Sequence, residues 1–284
     1  RKELQETKSR KMESIFQLHT PKLVIHTAAC KHVSLYQNDA YELIRTNVEG
    51  TINVFKSSLK YAVSDFIFVS TDKAVNPINN MGLSKMLAEL FLKSYFLSNK
   101  IKVKIVRFGN VLDSSGSVIP KFKKQIKEGG PVTLTHPDVT RYFMTITEAS
   151  QLVIQAGAMA EKCEVYVLDM GESIKIKSLV ERMIKLSGLS IKDDKNLEGD
   201  VLIKIIGLRP GEKLYEELLI GDNPQKTFHE KIQKTQDPFI PFNKLKMDLD
   251  HLSNVIEDNK VEDVKNVLSK LVTSYQSNSE IVDH

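Results

Sequence analysis

The chain has 284 residues, 41% hydrophobic and 27% charged, the composition of an ordinary globular protein long enough to bury a substantial core in one large or two smaller domains. Its 40 basic and 36 acidic side chains leave a net charge of only +4, spread along the chain, which speaks against a nucleic-acid partner. No apolar run is long enough to cross a bilayer, and the two cysteines, Cys30 and Cys163, lack metal-ligand spacing, so no metal site is expected.

Arg1 to Gln17 is charged, with Met12, Ile15 and Phe16 scattered through it, and reads as the end of a helix running to Thr20-Pro21. Lys22 to Ala29 follows as a strand that opens into Cys30-Lys-His-Val33, where small residues would let a ligand approach the backbone. Ala40 to Lys60 reads as a long helix containing Asn47, and Asp65 to Ser70 as a buried parallel strand. A loop with Asn76-Pro77 leads to a helix over Gly82 to Leu92, and Lys102 to Phe108 is a further strand that ends at Gly109-Asn110. Beyond it the strand and helix rhythm changes. Phe122 to Glu128 reads as a helix, Gly129-Gly130-Pro131 as a break, Val132 to Thr135 as a short strand and Thr140 to Met144 as the entry to another helix. Val165 to Gly171 and Val201 to Ile206 read as the remaining strands, with a helix over Ser178 to Ser187 between them. The tail from Val261 to Tyr275 has the apolar spacing of an amphipathic helix.

Chemistry concentrates between Ser70 and Lys85. The strand delivers Thr71, Asp72 and Lys73 to its carboxyl end, and the following helix brings Lys85 beside them, at the edge of a parallel sheet where ligands bind. A hydroxyl, a carboxylate and two ammonium groups in one crevice can tune one another for proton transfer. A polar strand end followed by a helix start is also common in α/β proteins, so spacing alone leaves both readings open. The same holds elsewhere: His26 and His32 read equally as satisfied core or turn histidines, Asn47 as a buried structural amide and Arg141 as a structural ion pair.

Four motifs narrow the choice. They are His26-Thr-Ala-Ala-Cys-Lys-His-Val33, Ser70-Thr-Asp-Lys-Ala-Val-Asn-Pro77 with Met81-Gly-Leu-Ser-Lys85, the run from Arg107 to Pro120 with Thr135 to Met144, and Gly207-Leu-Arg-Pro-Gly-Glu-Lys-Leu-Tyr-Glu-Glu-Leu218. Together they resemble the nucleotide-sugar 4,6-dehydratases of the extended short-chain dehydrogenase/reductase superfamily, in the branch that serves capsular polysaccharide and glycan biosynthesis and includes membrane-anchored UDP-N-acetylglucosamine 4,6-dehydratases. The superfamily's Tyr-x-x-x-Lys pair falls on Met81 and Lys85, a replacement typical of that branch. A thioether cannot exchange a proton, so the acid and base work passes to Asp72 and Lys73. Asp113 and Ser115 stand where the family commonly has Gly and Arg, a change that weakens anion binding at that loop.

The resemblance implies a partial Rossmann-like, doubly wound parallel sheet with a smaller C-terminal α/β substrate-binding part. Residues 1–112 would be the later half of the NAD-binding domain, with interleaved strands from later segments; 113–245 would be mainly substrate-binding and 246–284 a helical tail. It implies NAD as cofactor and a UDP-N-acetylhexosamine as substrate, oxidised at C4, dehydrated across C5 and C6, and reduced at C6. Thr71, Asp72, Lys73 and Lys85 would be catalytic: Lys73 the base at C5, Asp72 the acid at the C6 hydroxyl, Thr71 a partner to the C4 oxygen, and Lys85 the residue that binds the nicotinamide ribose. Ala28, Ala29, Lys31, Asn47, Ser70 and Lys85 would form the cofactor side, and Asn110, Arg141, Arg209 and Glu212 the substrate side. A homo-oligomer in the cytoplasm is expected, or the cytoplasmic part of a membrane-anchored parent, since Arg1 in place of Met reads as a fragment. No glycine stands in the Gly-x-Gly-x-x-Gly context that holds a dinucleotide's pyrophosphate. The first strand is then expected to leave one sheet edge open. The alternatives are a UDP-sugar 4-epimerase and a catalytically silent chain that binds UDP-sugar.

Overall fold

A computed structural model describes residues 2–33, 40–96, 101–114, 116–159, 163–219 and 224–235, together with isolated positions between 241 and 272. The tail helix expected over 261–275 falls outside the described residues except for Val272, which is buried in the hydrophobic core. Helix α1 (Lys2–His19) leads to strand β1 (Leu23–His26). Helix α2 (Ala40–Leu43) runs through a wider π-helical turn (Ile44–Glu49) into α3 (Gly50–Lys60), so the long helix expected there is continuous but locally unwound around Asn47. Strand β2 (Asp65–Val69) is followed by a short 3-10 turn (Asp72–Ala74) and by α4 (Asn80–Phe96). Next come β3 (Lys102–Arg107), β4 (Asn110–Val111), α5 (Val118–Lys127) and β5 (Val132–Leu134).

The stretch expected to lead into a helix at Thr140 instead forms two short strands, β6 (Thr140–Arg141) and β7 (Phe143–Met144), before α6 (Ile146–Met159). Both are held by partners remote in sequence: β7 pairs with β4 and β6 with β9 (Ile174–Lys175). The remaining elements are β8 (Glu164–Leu168), α7 (Ile176–Leu186), β10 (Ile191–Lys192), β11 (Val201–Ile205), β12 (Gln225–Lys226) and β13 (Ile232–Thr235).

The main sheet has the order β1-β2-β3-β8-β13-β12. Its first four strands are parallel, and β13 and β12 close one side in antiparallel fashion. Side chains alternate across the sheet, as strand geometry requires. Phe66, Phe68, Val103 and Ile105 pack under α3 and α4, whereas Ile67, Val106, Tyr166 and Leu168 pack under α6, so helices cover both faces. At the opposite side from β12, β1 has no neighbour beyond β2 among the described residues, and Leu23 and Ile25 are exposed there. A second, three-stranded parallel sheet, β10-β11-β5, encloses its own core with α5 and α7 through Phe122, Ile126, Val132, Val180, Ile184 and Val201. The two units meet at the carboxyl ends of β1, β2 and β3.

Candidate active site

Two buried devices fix the carboxyl end of β2. The guanidinium of Arg107 on β3 makes a bidentate pair with Glu89 on α4, and Glu89 accepts a 2.5 Å hydrogen bond from the Ser70 hydroxyl. Asn47, in the π-helical turn, accepts from the Cys30 N–H at 2.8 Å and donates to the Cys30 carbonyl at 3.0 Å and to the Ser84 hydroxyl at 2.8 Å. The amide thereby binds the loop after β1 to α4, and the unwound turn gives it the reach to do so.

The chain then turns sharply. The Ser70 and Asp72 N–H groups donate to the carbonyls of Val106 and Phe108, which holds the residues after β2 and β3 side by side. Thr71 caps the 3-10 turn: its hydroxyl donates to Asp72 Oδ1 at 2.9 Å and accepts from the Lys73 N–H at 3.4 Å. Helix α4 packs directly on this turn at Gly82, where a Cβ would lie 2.0 Å from the Lys73 carbonyl oxygen. Asn79 secures the junction, accepting from the Gly82 N–H at 2.7 Å and donating to the Gly211 carbonyl at 3.0 Å. The motif around Lys73 and the motif around Arg209 are therefore bolted together.

The three hydrogens of the Lys73 ammonium face three oxygens: Asp72 Oδ1 at 2.9 Å, Asn110 Oδ1 at 3.4 Å and Glu216 Oε1 at 3.4 Å. Burial alone would lower the Lys73 pKa, but Asp72 and Glu216 outweigh it and hold the pKa above the ordinary lysine value. Asp72 is fully buried beneath Gly109, and its Oδ2 has no hydrogen-bond partner. Lys85 has the opposite environment. Its ammonium donates to the Val69 carbonyl at 2.6 Å and lies 3.8 Å over the Phe68 ring; burial pulls its pKa down to about 7, and Glu89 offsets only part of that. His26 is a core histidine, 3.0 Å from the Thr51 hydroxyl, with its pKa lowered to about 4 by burial and by the Lys85 charge.

These elements surround a cleft of about 530 Å³, within the ordinary range for a small-molecule site. Of the residues expected at the site, Ala29, Lys31, Ser70, Thr71, Lys73, Lys85, Asn110, Arg141, Arg209 and Glu212 line it, and so does Met81. Ala28, Asn47 and Asp72 are not among its lining residues; Asn47 and Asp72 lie buried behind the wall and act through Cys30 and Lys73. Arg141 spends both Nη1 hydrogens on the carbonyls of Thr140 and Leu214, at 2.7 and 3.3 Å. Its other edge meets Glu212 at 3.3 Å and Glu216 at 3.7 Å, so among the described residues most of its donors are already engaged. Glu212 also accepts from the Thr135 hydroxyl at 2.8 Å and from the Arg209 N–H at 3.2 Å.

The sequence reading missed two charged residues of the cleft. Glu216 stands four positions after Glu212 in the same motif, but only the tertiary structure puts its carboxylate between Lys73 and Arg141. Lys121, in the first turn of α5, has its pKa lowered by burial and by the charge of Arg209.

The family model for "Polysaccharide biosynthesis protein" matches residues 4–237, most of the chain. The chain belongs to the polysaccharide biosynthesis protein family. Among the relatives of this family member is the capsular polysaccharide biosynthesis protein CapD of Staphylococcus aureus, 49% identical over 253 residues that make up 88% of this chain and 39% of CapD. A UDP-glucose 4-epimerase of Rickettsia rickettsii is 37% identical over 212 residues, covering 74% of this chain and 59% of that enzyme. The chain thus spans well under two thirds of either relative. Among solved structures, the X-ray structure of Pen from Bacillus thuringiensis superposes with a TM-score of 0.65 at 36% identity, over 75% of this chain and 64% of Pen. Family and fold agree with the resemblance drawn from the motifs.

Proposed function

We propose that this chain forms the substrate-binding and proton-transfer part of an NAD-dependent UDP-N-acetylhexosamine 4,6-dehydratase. One observation carries the reading. Met81, at the position of the superfamily's tyrosine, lines the same cleft as Lys73, whose Nζ forms a proton-bearing pair with Asp72 Oδ1 at 2.9 Å.

Dehydration needs a base for the C5 proton and an acid for the C6 hydroxyl. The pair can supply both through one internal transfer: moving a proton from Lys73 to Asp72 turns ammonium and carboxylate into amine and carboxylic acid. The Lys73 amine then takes the C5 proton, while Asp72, buried behind the wall, passes its proton to the Thr71 hydroxyl 2.9 Å away and Thr71 passes its own to the departing C6 hydroxyl, which leaves as water. The original ion pair is restored and no net proton is gained or lost. Thr71 and Asn110 orient this pair.

The residues present fit one side of a dinucleotide site: Thr27, Ala29 and Cys30 at the end of β1 give close access to the backbone, with Lys85 on the floor of the same cleft. NAD, when bound, supplies the redox chemistry by taking hydride from C4 and returning it to C6. Lys85 would hold the nicotinamide ribose and Lys31 the rim. On the other wall, Arg141, Arg209 and Glu212 would engage the nucleotide half of the substrate.

The epimerase named among the relatives favours a second reading, 4-epimerisation on the same scaffold. Mass spectrometry of UDP-N-acetylglucosamine incubated with the protein and NAD separates the two. Dehydration gives a product lighter by one water, whereas epimerisation leaves the mass unchanged, and that outcome would sink the first reading.

A further inference from the structure

Glu216 is only 8% exposed yet lines the cleft, and its Oε2 has no hydrogen-bond partner. An ionised carboxylate has acceptor sites on both oxygens, and leaving one buried and unpaired is costly. Buried polar groups in native proteins are nearly always paired, so an unpaired one on a cleft wall calls for a partner. The contacts on its other oxygen are long: 3.4 Å to Lys73, against 2.9 Å from Lys73 to Asp72, and 3.7 Å to Arg141. Arg141 backs the carboxylate from the other side, while the Lys73 contact is the weaker of that lysine's two ion pairs and the easier to surrender. Terminal carboxylate torsions are broad, so a small rotation presents either oxygen to the cleft. The cleft wall also carries Leu134, Val139 and Phe143, whose side chains offer a ligand hydroxyl no acceptor.

We infer that Glu216 contacts the substrate directly: it accepts a hydrogen bond from a hydroxyl of the sugar ring, and in doing so exchanges its hold on Lys73 for the ligand. This rests on the nucleotide-sugar reading above and extends it, because sugar binding then releases one of the three oxygens that saturate the Lys73 ammonium. A nucleotide without its sugar leaves Glu216 on Lys73.

Calorimetric titration of the chain with UDP and with UDP-N-acetylglucosamine, for wild type, Glu216→Gln and Glu216→Ala, tests this. The readout is the preference for the sugar nucleotide over UDP, a ratio from which any indirect effect through Arg141 divides out. Wild type is expected to prefer UDP-N-acetylglucosamine, and Glu216→Ala to lose about tenfold of that preference, the loss of one charge-assisted hydrogen bond. Glu216→Gln, which keeps shape and one acceptor, falls between. UDP binding serves as the folding control for each variant. If both variants keep the wild-type preference, Glu216 does not touch the sugar, and the nucleotide-sugar reading still stands. If wild type binds neither compound, the nucleotide-sugar reading itself fails and the inference falls with it.

Discussion

Two buried ionic clusters lie within one helical span of each other and do different work. In the first, Arg107 and Glu89 form a bidentate pair that reaches Ser70, remote from solvent and without a residue of the pair on the cleft wall. In the second, Lys73 sits among Asp72, Glu216 and Asn110, with Asp72 Oδ2 and Glu216 Oε2 unpartnered and with Lys73 and Glu216 both on the wall. An ion pair sealed from the cleft makes a brace; charged groups on the cleft wall make a site. Burial and charge alone do not separate the two, whereas access to the cleft does.

Breaking each cluster should therefore give opposite signatures. Arg107→Met leaves Glu89 charged and buried, and is expected to cost about 3–5 kcal/mol of stability in denaturant unfolding, whatever its effect on chemistry. Lys73→Ala should cost less stability than Arg107→Met, because water can enter from the cleft, while dehydration falls by about 10²–10⁴-fold. Equal stability losses would erase the contrast between brace and site.

The pH dependence of stability sharpens the same comparison. His26 has a folded-state pKa of about 4, below the ordinary 6.5, so the unfolded chain binds its proton first and stability should fall as pH drops from about 6.5 to 4. Lys85 is also depressed, to about 7 from 10.5, so the unfolded chain holds the extra proton between those values and stability from this group should rise with pH across that window. Lys85→Met is expected to remove the rise and to narrow the His26 limb below it, since burial, the larger cause of the His26 shift, remains when the Lys85 charge is gone. Unfolding midpoints measured from pH 4 to 10 check both slopes. The smallest effect belongs to the surface: Lys124→Ala, which removes an exposed pair with Glu128, should change stability by less than about 0.5 kcal/mol.

Much of this was legible in the residues. Asp65 to Ser70 reads as a buried parallel strand because it is a short apolar run and Lys102 to Phe108 as a further strand, and the structure pairs them in register as Asp65–Val69 and Lys102–Arg107. Asn47 reads as a buried structural amide or as part of the cofactor side, and the structure shows it buried, holding the Cys30 backbone and the Ser84 hydroxyl. What stayed hidden depends on partners far away in sequence. The two-residue strands at Thr140 and Phe143 carry no periodicity of their own and exist through β9 and β4. Strand β13 contributes a single fully buried apolar residue, Ile232, to the main sheet, too little for a pattern. The extent to which Arg141 is already engaged, and the place of Glu216 between it and Lys73, follow from how the loop after Arg209 folds back over Thr135 and Asn79. Motif spacing cannot show that.

The most direct measurement is the rate at which Lys73→Ala protein, supplied with NAD, converts UDP-N-acetylglucosamine to a product lighter by one water, set beside wild type. With the Asp72 and Lys73 pair acting in place of a tyrosine, wild type should form that product and the variant should form it at least a hundredfold more slowly while still binding UDP. Dehydration at the wild-type rate by the variant would contradict that assignment.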